Sequence, residues 1–206
     1  MAGVSGLPVV GAAILVNDND TWMWDDDDPR LPRCPVCGYR TNFFATNPDY
    51  VPKARFKPVY APELAITKQT AMASTYDGQV IVTRLFKEFC QAQGYEGLEF
   101  RGFCRDPEHF HFVATRQVQF DTKRSGTRFE KQCPRCGNYE SIVPAQPAII
   151  KVPESVADAI LRTDLLFASG DEKNPVIIVG HETARKIKSA GFRGISFGPV
   201  YGSGNE

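Results

Sequence analysis

Apolar positions along the chain fall in short runs separated by polar turns, and two stretches repeat one order of elements. Val80-Ile81-Val82 is a continuous apolar run between Gln79 and Thr83, the pattern of a short buried strand. Leu85, Phe86, Phe89 and Cys90 then recur at helical spacing, which predicts a helix over 84–93 stopped by Gly94. Residues 98–103 alternate and predict another strand. Further on, 175–179 predicts a strand, 182–190 a helix stopped by Gly191, and 195–200 a last strand. Gly94, Tyr95, Gly97, Leu98 and Phe100 match Gly191, Phe192, Gly194, Ile195 and Phe197 at one offset (191 − 94 = 97).

The remaining pattern is less regular. Residues 7–16 are apolar and predict a first strand. A signal-peptide core has a similar length, but no basic residue precedes this one, and the first is Arg30. Thr21 to Trp24 reads as a short strand, and prolines at 48, 52, 58 and 62 predict an irregular stretch. A helix is expected over 63–72, a bent strand region over 109–120, a polar turn over 121–127 and a strand over 148–152. Pro153 opens an expected helix carrying Val156, Ala159 and Ile160, and residues 202–206 read as a disordered tail. No stretch approaches the roughly 18 apolar residues of a membrane span.

The chemistry concentrates in two motifs of one design. Cys34-Pro35-Val36-Cys37-Gly38 and Cys133-Pro134-Arg135-Cys136-Gly137 are both C-P-x-C-G knuckles (133 − 34 = 99). Each offers two thiolates on a tight turn, and together they supply the four sulfurs of a closed tetrahedral Zn²⁺ site. A closed shell has no open position for substrate, so the ion reads as structural. A rubredoxin-like iron centre uses the same ligands. The expected fold is α+β, with two duplicated β-α-β-containing halves, 1–108 and 109–206. They form one compact unit related by a pseudo-twofold and clasped by one Zn²⁺ at Cys34, Cys37, Cys133 and Cys136.

Composition narrows the function. Twenty-four basic and 24 acidic residues give a net charge of +0, which weighs against a general nucleic-acid binder. Six cysteines, four of them in CxxC pairs, indicate metal thiolates in a reducing compartment. Cys90 and Cys104 read as small core hydrophobes. Asp25, Asp26, Asp27 and Asp28, with Trp22 and Trp24 beside them, read either as a solvated loop or as an acidic aromatic surface for a basic partner. His109 and His111 share one face of a strand, as ordinary strand histidines or as a second metal site. His181 either caps the last helix or is exposed. No phosphate loop, serine elbow, HExxH helix or dinucleotide fingerprint occurs, so the expectation is a protein that is not an enzyme.

The two knuckles about one hundred residues apart, with the segments 164–168, 176–179 and 191–200, resemble the double-CXXCG-motif proteins. These occur as paralogues in myxobacteria and are associated with immunity proteins of polymorphic toxin systems. The resemblance spans about 32–201. It implies a cytoplasmic immunity protein that binds and neutralises one cognate toxin, with the four knuckle cysteines as metal ligands and no catalytic residues. A basic, nuclease-type toxin would suit the acidic stretch. The alternative is a zinc-ribbon nucleic-acid-binding or regulatory protein.

Overall fold

The computed structural model describes residues 4–16, 21–52, 70–152 and 155–204. Most of the expected helix over 63–72, and the proline at 153 that was to open another, lie outside them. The described chain is a mixed α/β protein of three sheets and few helices.

The first strand, β1 (Val9–Val16), is followed after the first knuckle by β2 (Met72–Ser74) and β3 (Val80–Thr83). Helix α1 (Arg84–Ala92) leads to β4 (Leu98–Phe103) and β5 (Asp106–Ala114). Then come β6 (Gln117–Val118), the short α2 (Thr122–Ser125), β7 (Arg128–Gln132) and β8 (Tyr139–Val143). The last third holds β9 (Ala148–Ile150), β10 (Ile160–Thr163), β11 (Ala168–Ser169), β12 (Ile177–Val179), α3 (His181–Ser189) and β13 (Ile195–Gly202). The sheets run β6-β10-β12-β1-β13-β9, β2-β3-β5-β4 and β11-β8-β7.

Both predicted strand–helix–strand stretches form. In each, the two strands flank an antiparallel third. β3 and β4 flank β5, pairing Ile81 with His111 and Leu98 with Ala114. β12 and β13 flank β1, pairing Ile178 with Ala13 and Ile195 with Val16. The N-terminal strand thus completes a sheet whose other strands all come from the C-terminal half, and a division at 108/109 runs through β5.

Helix α1 is started by Thr83, whose hydroxyl accepts the Phe86 N–H at 3.4 Å, and it buries Phe86 and Cys90. Helix α3 carries Glu182 in its first turn and Lys186 and Lys188 in its last, both favourable to its dipole, and buries Thr183, Ala184 and Ile187. One core joins both units. Phe86 packs edge-on to Phe112 and Phe192, with centroids 6.2 and 5.5 Å away, and Ile14, Ile160 and Val179 lie in the same cluster.

Several expectations are corrected. Thr21 to Trp24 is not a strand, because the Met23 backbone is taken up by side chains: its N–H donates to Asp77 Oδ1 and its carbonyl accepts from Asn47 Nδ2, both at 2.9 Å. Residues 155–159 form no helix. Val156 N–H donates to Val10 O at 2.7 Å, and Ile160 begins a strand. Residue 202 is not tail but the end of β13, and Ser203 N–H donates to Ile150 O at 3.0 Å. Cys104 is exposed in the β4–β5 turn, whereas Cys90 is buried. The hairpin β7–β8 was not anticipated.

Candidate metal centre and the surface it holds

The two knuckles fold identically. Cys34 N–H donates to Tyr39 O at 3.0 Å and Gly38 N–H to Cys34 O at 2.9 Å; Cys133 N–H donates to Asn138 O at 2.7 Å and Gly137 N–H to Cys133 O at 2.9 Å. Gly38 and Gly137 sit at φ 76° and 75°, in the left-handed region where a β-carbon is unfavourable. That is why each CxxC ends in glycine.

The turns bring all four thiols together. Cys34 Sγ lies 3.8 Å from Cys133 Sγ, Cys37 Sγ lies 3.7 Å from Cys136 Sγ, and all four sulfurs fall within 4.8 Å of one another. A tetrahedral ion with metal–sulfur bonds of about 2.3 Å has sulfur–sulfur edges of about 3.8 Å. The donor set therefore fits one four-coordinate ion. Cys34 and Cys133 are buried, and Cys37 and Cys136 are half-buried.

The N–H groups of Cys37 and Val36 point at the Cys34 sulfur and bring its thiol down to about 6. The Cys136 N–H likewise lowers Cys133. Cys37 moves the other way: the Tyr39 N–H favours its thiolate, but burial and the three neighbouring sulfurs push it up to about 12. Four thiolates at this spacing repel, and a bound cation is what allows all of them to ionise.

Around the sulfurs lies a set of buried charges. Arg40, three residues after Cys37, is 1% exposed. Its guanidinium donates to Asp77 Oδ2 at 3.1 Å, to Asp77 O at 2.9 Å and to Asp171 O, and its N–H donates to Asp171 Oδ1 at 3.0 Å. Asp171 also pairs with Arg33 at 2.5 Å. Lys173, 3% exposed, donates to Tyr139 O beyond the second knuckle, and its ammonium lies 5.3 and 5.2 Å from the ring centres of Tyr39 and Phe43. Burial lowers its pKa, opposed by the charges of Asp171, Cys37 and Cys136. The turn Gly170–Glu172 and Lys173 are thus seated against both knuckles.

The other candidates separate. Trp24 is 5% exposed, and its indole N–H donates to Ala45 O at 3.1 Å. The Asp28 carboxylate accepts from Arg30, which holds it below the usual carboxylate range. Both are structural parts of the loop, so the expected surface shrinks to Trp22, Asp25, Asp26 and Asp27, all exposed. His111 is buried with Nδ1 2.7 Å from Thr46 Oγ1, whereas His109 Nδ1 lies 2.8 Å from Asp106. Among the described residues, the only cluster of metal-ligating side chains is the four cysteines. His181 is the exposed first residue of α3. No described helix is long and apolar enough to cross a membrane.

Sequence reasoning missed Arg40, Asp77, Asp171 and Lys173. The one available signal was that Arg40 follows its knuckle directly. A scan against protein-family models finds no match to this chain, and a search of curated proteins finds none either.

Proposed function

We propose that the chain is a zinc-stapled binding protein, and specifically an immunity protein that holds and neutralises a cognate toxin in the cytoplasm. The observation that carries the reading is the convergence of four thiols on one point from knuckles 99 residues apart. An ion there is fully enclosed by sulfur and serves to lock the fold, which leaves function to the outer surface. The assignment to immunity comes from the resemblance to the double-CXXCG-motif proteins. The exposed Trp22 and Asp25 to Asp27 give a surface for a basic partner.

The same reading treats the two units as a duplication. Ile81 opposite His111 corresponds to Ile178 opposite Ala13, and Leu98 opposite Ala114 to Ile195 opposite Val16. The flanking strands differ by 97 positions (178 − 81 = 97) and the central ones by 98 (111 − 13 = 98). β1 then occupies the place in the second unit that β5 has in the first.

Co-expression with the product of the adjacent gene, expected to be a toxin, is the test. The reading expects a stable complex and restored growth; normal toxicity with no complex would overturn it.

A second reading is favoured by one feature. The hairpin β7–β8 exposes Arg128, Phe129 and Lys131, with Arg135 exposed at the knuckle tip. Basic and aromatic side chains together suit single-stranded nucleic acid. Binding of an oligonucleotide that weakens steeply with salt would support this alternative.

A further inference from the structure

A cavity of about 310 Å³ opens between the loop at Trp22 and the turn at 170–174. One wall is aromatic. The rings of Trp22 and Tyr76 have centroids 5.9 Å apart, tilted by 55°, and are 45% and 39% exposed. The facing wall carries Glu172 and Asn174, with Ala168 beside them. The Glu172 carboxylate is exposed and forms no ion pair among the described residues. Ala168 has φ 112°, a conformation that alanine seldom adopts and that surrounding contacts must impose.

Both walls hang from the same buried arginine. Arg40 holds Asp77, which accepts the Met23 N–H beside Trp22 and the Thr75 hydroxyl beside Tyr76. Arg40 also holds Asp171, next to Glu172. Arg40 follows the first knuckle directly, and Lys173 ties the same turn to Tyr139 after the second. The cavity is therefore a gap between two pieces fixed by the metal centre, rather than an accident of loop packing.

We propose that this notch receives one arginine side chain of a basic protein partner. A planar guanidinium stacks on Trp and Tyr faces and pairs with a carboxylate in a two-pronged fashion. The volume lies at the lower end of ligand sites, enough for one side chain. Asp25, Asp26 and Asp27 stand exposed on the same loop as Trp22 and add the negative field that draws a basic surface in. Preorganised walls spare the partner much of the ordering cost. That the arginine comes from a protein rests on the binding-protein reading above; the chemistry of the notch does not.

The direct test is a nuclear magnetic resonance titration of the purified protein with Nα-acetyl-arginine N-methylamide. The Trp22 indole signal and the Tyr76 amide should move and saturate, while the indole of buried Trp24 stays still. The norleucine analogue should move neither. Trp22→Ala and Glu172→Gln should each weaken binding by about fivefold without shifting the melting temperature. An unchanged Trp22 signal, an equal response to norleucine, or full binding by Glu172→Gln would overturn the proposal. If Trp22→Ala neutralises the toxin as well as the natural protein does, immunity stands and the notch is not the contact. If arginine binds but no toxin is captured, the notch stands and immunity falls.

Discussion

The two knuckles share one turn but stand in opposite surroundings. The first is tied inward: Arg33 and Arg40 engage Asp77 and Asp171, and Arg40 and Asp77 are each 1% exposed. The second projects from the hairpin β7–β8, whose first strand is exposed throughout and whose ion pair, Lys131 with Glu140 at 2.8 Å, is also exposed. Yet their backbone hydrogen bonds correspond one for one. The C-P-x-C-G sequence thus determines the turn and the aim of its sulfurs by itself. What the candidate metal site is coupled to depends on the residues just beyond, Arg40 after one knuckle and Tyr139 at the corresponding place after the other.

The largest effect is expected from removing one sulfur on each side. Cys34→Ser and Cys133→Ser should both lose the metal and should unfold at nearly the same, much lower, denaturant midpoint, because they share one ion. A variant that kept its metal would separate the knuckles. The next effect should be unequal. Arg40→Met leaves the Asp77 charge buried without its ion partner and should cost about 3–5 kcal/mol in chemical denaturation. Tyr139→Phe should cost less than about 0.5 kcal/mol.

A third difference lies between the sheets. Mid-sheet β5 buries His111 opposite Ile81, and mid-sheet β1 buries Ala13 opposite Ile178. Burial, helped by the charge of Arg101, lowers the imidazole from 6.5 to about 3. The folded protein keeps it neutral while the unfolded chain binds a proton below pH 6.5, so stability falls as the pH drops from 6.5 towards 3. Between pH 7 and pH 5 the loss should be about 2 kcal/mol. His111→Gln should flatten that part of the stability–pH curve. Smallest of all, Lys131→Ala should leave the unfolding midpoint unchanged, since its ion pair is open to solvent.

The metal centre was legible because thiol chemistry and turn geometry are local. So were α1, α3 and the strands around them, where apolar spacing is regular. The hairpin β7–β8 was not, because Arg128 to Gln132 is exposed throughout and gives no apolar period. Val156 and Ile160 stand at helical spacing, but Val156 is buried from an irregular segment and Ile160 from the start of β10, and so short a window could not separate the cases. The insertion of β1 between β12 and β13 is a long-range pairing with no local signature. Arg40 and Lys173 were invisible as hubs because arginine and lysine are ordinarily exposed. The same limit applied to Trp24, whose burial depends on a distant carbonyl.

In the proposed reading one ion, held by both knuckles together, staples the fold. Native mass spectrometry of the intact chain, with elemental analysis, tests it most directly. One zinc ion per chain is expected, absent from both Cys37→Ser and Cys136→Ser. Two ions per chain, or an ion retained when either knuckle is disabled, would contradict it.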